Sequence, residues 1–543
     1  MTTTGPRHVG PEVRSRYELL ECVITFARSH SLPSTSWLKF SVIALMLVTL
    51  FFLFQYPLRR IDSDSEVNFN EGWNAYRQAF AQQGLALYGQ PPDFSTGSTN
   101  YPFVSFHVIA LLSHHGDVVK TARWLSVISL LVTGLLIALI LRELGADSFI
   151  AAFSMLLYIL GIAVFLPDRL GMDDPQLLAE AFTTAGLYLY IRGRNRALFL
   201  CASAFTFCLA VFTKQNLLAF PAAAGIDLLL HSRKRFAIWC GAMIGSAALF
   251  LGLTFAVDGR FFFDHLLTHR AYSVDAGLGS ITHFYLVTFQ GVVLIALVWT
   301  LARFRAQPLL ALAFLFSNGL AFMLAGGDGV DLNIYFNAFA ATVLVCGFAL
   351  AEIEGSTQAE NGEARSAPSP LHGRDEGGLR SGSVRRAHSP GHAMVLALMV
   401  ALFLCMAIRV PDRLREGRLR GSLMAEDDAG FRAAVDLVKA TPGPALCESL
   451  LLCYRAGKPY NFDTYTAIEE IKSHHTDQDA SLPLVASRYF GVIQLDAMPG
   501  EATTDPPNIF RNRSRFTPQF VDALLENYRL ALRTSHMLIF VPK

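Results

Sequence analysis

The chain has 543 residues, 52% of them hydrophobic and only 16% charged, with a mean hydropathy of +0.37. A soluble chain of this length needs more charge to cover its surface, so the composition excludes an ordinary soluble enzyme and indicates a polytopic membrane protein. The net charge of +1 also excludes a nucleic-acid partner, which calls for a basic face.

Residues 1–36 are polar and mixed, and the apolar run that follows begins too late and runs too long for a cleaved signal. It is therefore read as a retained span, with 1–36 on the cytoplasmic side. Apolar runs long enough to cross about 30 Å of hydrocarbon as helices recur near 37–57, 120–141, 148–166, 176–191, 197–212, 217–231, 236–257, 283–302, 308–325, 335–352 and 393–409. The run Tyr101 to Leu112 is too short and reads as a helix along the interface. The architecture expected is an α-helical polytopic membrane bundle of about eleven transmembrane helices, with a large first outer loop and a small C-terminal α/β extracytoplasmic domain.

Basic residues set the orientation. Arg142, the Arg192/Arg194/Arg196 group, Arg233 to Arg235, Arg303 and Arg305 all fall in loops assigned to the inside, as does the arginine-bearing linker. This is the positive-inside pattern. Arg59 and Arg60 depart from it, although Arg14, Arg16, Arg28 and Lys39 on the other side can hold the first span. The transmembrane domain then covers 37–352, with outer loops at 58–119, 167–175, 258–282 and 326–334. Residues 353–392 are poor in apolar residues and rich in Gly, Ser, Pro and charge, a composition expected to be a disordered cytoplasmic linker. A last helix at 393–409 delivers 410–543 to the outer side. In that tail PALCES, FGVIQLD and HMLIFV read as strands and Thr517 to Arg533 as an amphipathic helix. Most of the eight cysteines sit in apolar runs, while Cys447 and Cys453 in the tail are compatible with a disulfide.

With this orientation the outer face gathers the reactive side chains. The first loop carries Asp62, Asp64, Glu66, Asn70 and Glu71, and the next carries Asp168, Arg169, Asp173 and Asp174. Lys214, Gln215 and Asn216 follow, then His265, His269 and Arg270, then Asp328, Asp331 and Asn333. Each has a plainer reading. Asp174 before Pro175 is what a helix start looks like, yet a cap explains neither Asp173 nor Asp168. Lys214 can be a snorkelling side chain, yet it lies where basic residues are scarce, which suits a phosphate partner. His265 and His269 share a helical face but have no third ligand nearby, so no metal is assigned; a divalent cation is the one cofactor left open. Glu180, one turn inside a span, is a buried acid and a functional candidate by default.

The order NEGWNAY, a loop ending in NYPFVSF, then GMDDPQLL and FTKQNLLAFP over roughly 37–350 resembles the GT-C superfamily of integral membrane glycosyltransferases. The nearest kin are the bacterial glycosyltransferase-39-like enzymes, related to protein O-mannosyltransferases and the aminoarabinose transferase of lipid A. The resemblance implies inverting transfer of a sugar from a polyprenyl-phosphate donor to a lipid, glycan or protein acceptor. It places the reaction at the extracytoplasmic face of a bacterial inner membrane, among membrane lipids. Where the family carries an Asp-Glu pair this chain has Asn70-Glu71, its Lys/Tyr-Pro-Pro-Leu segment stands as Tyr101 to Val104, and its Thr-Lys-Gly element as Thr213 to Gln215. The family's first acid being Asn70 here, the base is expected to be Glu71, with Asp173 and Asp64 as the other catalytic candidates. Asn70, Asp62, Tyr101, Asp168, Asp174, Lys214, Asn216, His269, Arg270, Asp328 and Asp331 are the expected substrate-binding set. The alternative is a transporter or flippase of lipid-linked saccharides, which internal repeats and mid-membrane substrate groups would favour.

Overall fold

The computed structural model describes residues 35–89, 99–267, 270–288, 290–366, 390–473, 479–497 and 516–543. Each apolar run of the sequence folds as helix. In chain order these are α1 (Thr35–Arg60), α2 (Asn70–Gln82), α3 (Val104–Ser113), α4 (Val118–Glu143), α5 (Ser148–Phe165), α6 (Gln176–Gly193) and α7 (Ala197–Thr213). Then come α8 (Ala219–His231), α9 (Arg233–Leu253), α10 (Phe262–Leu266), α11 (Val274–Thr282), α12 (Gln290–Arg303), α13 (Pro308–Leu324), α14 (Phe336–Ser366) and α15 (Pro390–Ala407). Among the described residues six helices are long and apolar enough to cross a membrane; several others in the bundle are shorter apolar helices. Exposed apolar side chains such as Phe51, Leu135, Ile244 and Leu301 suit a hydrocarbon surround. The fold is thus a polytopic helical membrane bundle.

Local chemistry sets the helix starts. Asp117 caps α4 by accepting the Val119 and Lys120 amides, and Asp147 caps α5 by accepting that of Ile150. The interface run is helical as α3. Residues 353–366, compositionally part of the linker, continue α14, and 367–389 lie outside the described residues.

The tail begins with the long helix α16 (Val410–Ala440) and continues through β1 (Ala445–Cys447), α17 (Leu450–Arg455), α18 (Thr464–Lys472), α19 (Leu482–Ala486), β2 (Val492–Asp496), α20 (Pro518–Asn527), β3 (Tyr528–Arg533) and β4 (Met537–Pro542). The sheet order is β1-β2-β4-β3, parallel between β1 and β2 and antiparallel elsewhere. One expectation is corrected: the helix from Thr517 ends at Asn527, and Tyr528 to Arg533 is a strand. Its YRLALR alternation buries one face and pairs with β4, so sheet partners override the local helical pattern. Cys447 and Cys453 form a disulfide between β1 and α17.

The tail shares a hydrophobic core with the first loop. Trp73, Ala75 and Tyr76 of α2 pack with Phe431, Leu451, Val492 and Ile539, against Val118 and Ala122 at the start of α4. Gly72 allows the closest approach: a Cβ there would lie 2.1 Å from the Leu451 amide nitrogen and 2.5 Å from the Leu450 carbonyl carbon. Gly72→Ala is expected to cost about 1–3 kcal/mol through overpacking, read as a fall in the melting temperature of detergent-purified protein. An unchanged melting temperature would show that the tail is not seated on α2.

Candidate functional site

Glu71 lies in the first turn of α2 and is completely buried. Arg123 of α4, equally buried, donates to it from Nε at 2.9 Å and Nη2 at 2.6 Å. The same guanidinium donates to the carbonyls of Arg60, Ser63 and Ser65, so one side chain gathers the chain leaving α1. Glu71 also accepts the amides of Val67 at 2.8 Å and Asp173 at 3.0 Å. Burial pushes its carboxyl up, but the Arg123 charge and hydrogen bonds, with the two amides, outweigh that and hold it below the usual carboxylate range. The expectation that Glu71 is the base therefore meets a physical objection. Both oxygens are saturated by donors and shielded from any acceptor.

Asp173 is the opposite case. Its carboxylate is buried and receives the Gln78 amide at 2.8 and 2.9 Å, while its carbonyl accepts from Asn74. Burial and the nearby Glu71 charge push the carboxyl well above the usual range, and the Gln78 bond only partly opposes them. One lone pair on each oxygen stays open.

Asp174, the next residue, faces cations. Lys214 at the end of α7 donates to it at 3.1 Å, Arg169 lies at 3.4 Å, and the Gln176 amide and Asn333 side chain donate at 2.7 and 3.0 Å. Burial raises this carboxyl, and Lys214 and Arg169 more than offset it, holding it low. The Lys214 ammonium sits 4.9 Å from the centre of the Tyr101 ring. Burial lowers its pKa, Asp174 opposes this, and Arg169 and Arg270 add repulsion. The two partners respond unequally because Asp174 receives two cations whereas Lys214 is crowded by like charges. Arg169 pairs with Asp331 as well. Lys214, Arg169 and the exposed Arg270 thus concentrate positive charge beside Tyr101 and Asp174.

Glu71 and Lys214 meet across one dipeptide: Glu71 holds the Asp173 amide and Lys214 holds the Asp174 carboxylate. The two loops lie on the same side of the bundle. Other expected site residues turn elsewhere. Asp64 pairs with Arg432 of α16 at 2.9 Å, and Asp62 is exposed beside Lys120. Asp168 pairs with Arg60 and Arg420, and Asp328 with Lys472 of α18. Each of these four carboxylates is engaged by a lysine or arginine of α1, α4 or the tail, away from the Asp173–Lys214 cluster. Asn216 donates to Gln176 at 3.4 Å, while the Asn70 side chain makes no hydrogen bond to any described residue. His269 lies outside the described residues. His265 uses both ring nitrogens on backbone, accepting from Thr99 and facing the Gly89 carbonyl at 3.1 Å. No group of three or more metal-ligating side chains occurs among the described residues. Glu180 is buried and accepts from Asn337 at 2.9 Å.

Sequence reading missed Arg123, Gln78 and Asn74. Arg123 stood at the start of an apolar run, where it passed for a flanking residue; Asn74 and Gln78, four apart on α2, carried a helical spacing that would have aligned them. It also missed the tail's aromatic cover, in which Tyr460 accepts from Trp73 at 2.7 Å and Tyr465 packs tilted on Phe69 and edge-on to Trp73.

The bundle and its appended sheet form a fold shared with solved integral membrane proteins. In particular it is similar to ArnT from Cupriavidus metallidurans in the apo state, at 14% identity and a TM-score of 0.54, over 93% of this chain and 98% of that one. It is similar to the same protein bound to undecaprenyl phosphate at 14% identity and a TM-score of 0.52, over 94% and 98%. No family model and no curated protein matches the chain.

Arg123→Met leaves the Glu71 charge buried without a partner and is expected to cost about 3–5 kcal/mol, seen as loss of folded protein from the membrane. The pair's contribution is full above the ordinary carboxylate pKa and is lost as pH falls through the depressed value of Glu71. A melting-temperature contribution that begins to fall as pH drops below the ordinary carboxylate pKa, and is absent from Arg123→Met, checks the sign.

Proposed function

We propose that the protein is an inverting glycosyltransferase that moves a sugar from a polyprenyl-phosphate donor to an acceptor hydroxyl on the extracytoplasmic face of a bacterial inner membrane. The observation that carries this reading is the juxtaposition, on adjacent residues of one loop, of a buried carboxylate at Asp173 hydrogen-bonded by the Gln78 amide and a cation-rich pocket at Asp174. The undecaprenyl phosphate bound by the ArnT structure of the same fold supports a lipid phosphate as the donor's leaving group.

The chemistry divides between the two halves. Asp173 accepts the acceptor's hydroxyl proton, its raised affinity for protons suiting it to general-base work. The acceptor oxygen then forms a bond to the anomeric carbon from the face opposite the phosphate. The bond from that carbon to the phosphate oxygen breaks, and its electron pair stays on the departing polyprenyl phosphate. Lys214, Arg169 and Arg270 hold the charge that grows there. Tyr101 keeps Lys214 in place through its ring, and the free amide of Asn70 is available for sugar hydroxyls. Glu71 positions Asp173 by holding its amide and does not touch substrate. The tail, extracytoplasmic in this reading, roofs α2 with Tyr460 and Tyr465.

Purified protein supplied with a labelled polyprenyl-phosphate sugar tests the proposal. Asp173→Asn is expected to lower turnover by about 10²–10⁴ while the protein still accumulates in the membrane. Wild-type turnover should fall on acidification at a pH above the ordinary carboxylate range, because the base is lost as pH drops through the raised Asp173 value. Lys214→Gln should raise KM for the donor. Full activity of Asp173→Asn would remove the base assignment, and movement of intact donor between leaflets without bond cleavage would replace transfer by transport.

A further inference from the structure

A cavity of about 470 Å³ lies at the end of the bundle opposite the Asp173–Lys214 cluster. This volume is in the range of small-ligand pockets. Helix α6 starts beside that cluster at Gln176, and α7 returns to it at Lys214. The turn joining them therefore stands roughly 27 Å away, the length of an eighteen-residue helix at about 1.5 Å per residue. Arg192, Arg194 and Arg196 of this turn line the cavity, with Ile191 and Phe199 as apolar walls. Glu143, at the end of α4, is the one acid in the lining among the described residues.

Arginine at this end follows from the positive-inside pattern, and sidedness alone does not make a site. Pairing is what sets this turn apart. Arg192 meets Glu143 at 3.2 Å and Arg194 meets the buried Asp227 at 3.4 Å, which occupies both nearby acids. The exposed side chain of Arg196 has no hydrogen-bond or ion-pair partner among the described residues. Arg235 of α9 backs the turn by donating to Asn195 Oδ1 at 2.6 Å. Neither it nor its neighbours Arg233 and Lys234 has an acidic partner among the described residues. Positive charge from two elements is thus left unneutralised around one cavity. The same rim passes directly into apolar surface: Leu198, in the first turn of α7, is 78% exposed, and Leu230, in the last turn of α8, is 66% exposed.

We infer that this cavity seats the headgroup of a net-anionic glycerophospholipid, in the leaflet opposite the Asp173–Lys214 cluster, with its phosphate at Arg196 and an acyl chain beside Leu198. Charge selects the headgroup. A phosphate brings Arg196 the acceptor it lacks and adds to the hydrogen bonding of the Arg192 and Arg194 guanidiniums, which present five donors each. A headgroup ammonium has no counter-charge here, because Glu143 is already held by Arg192, and it would face the surplus cations of α9. A lipid whose headgroup is uncharged beyond its phosphate avoids that repulsion. The exposed leucines select a lipid over a soluble phosphate, since they place hydrocarbon contact within one turn of the cationic rim. The proposal is independent of the transfer reaction, because none of the cavity's charged groups belongs to the Asp173–Lys214 cluster.

Native mass spectrometry of the full chain in detergent, titrated with phosphatidylglycerol or with phosphatidylethanolamine of the same acyl chains, tests it. Wild-type protein is expected to retain phosphatidylglycerol about tenfold more tightly, the scale of one charge-assisted hydrogen bond. Arg196→Gln should remove most of that preference. Arg305→Gln takes the same charge from an exposed arginine in the turn before α13 and should leave the preference intact. Equal retention of the two lipids by wild type, or a preference that survives Arg196→Gln, would overturn the assignment. Equal loss in the two variants would overturn it as well, by showing diffuse surface charge in place of a built site. Glycerol 3-phosphate should stay unbound at the same concentration; its binding would overturn a lipid as the occupant.

Discussion

The site depends on one buried ion pair. Two full charges removed from water are costly, and such a pair persists only when every remaining donor and acceptor is satisfied. Arg123 meets that condition by spending its donors on Glu71 and on the carbonyls of Arg60, Ser63 and Ser65. Glu71 meets it with the amides of Val67 and Asp173. The result ties three separate stretches together: the end of the first span, the start of α2, and the 173–174 loop. Asn74 and Gln78 of α2, which hold Asp173, and Arg60, which donates to the carbonyls of Pro167, Asp168 and Leu170, reinforce the same three-way junction.

From that fixed point three carboxylates acquire different characters. Glu71 is surrounded by donors and held ionised. Asp174 receives two cations and is held ionised as well. Asp173, between them in space, is buried with an amide for its partner and faces the charge of Glu71, so it holds a proton most readily. Environments that push neighbouring carboxyls apart in this way are how one site keeps a base and a charge-holding partner side by side. The proposed division of labour between Asp173 and the Lys214 cluster rests on this contrast.

The tail contributes by closure. Its disulfide-linked turn sits on Gly72, its tyrosines cover Trp73 and Tyr76, and Lys472 and Tyr465 bind the loop that carries Asp331. Acids of the first loop that looked reactive, Asp62 and Asp64, together with Asp168, are instead used on lysine and arginine at its borders. The same arrangement leaves a cavity between α1, α16 and the sheet. Closure of the roof and creation of the cavity are thus two consequences of docking the tail on α2.

What the sequence determined by itself is the bundle: runs of apolar residues must be helical where no water can satisfy their backbone, and this held for every run. It also determined the strands VIQLD and MLIFVP, whose β-branched and apolar stretches need a sheet. Tertiary structure alone decided which acid is which. The identity of Glu71's partner lay in Arg123, fifty-two positions away in an otherwise apolar run, and the strand after Asn527 needed β4 beside it to override its helical neighbours. A carboxylate's proton affinity is set by charges and burial within a few ångströms, and those neighbours come from chain segments that no local pattern connects.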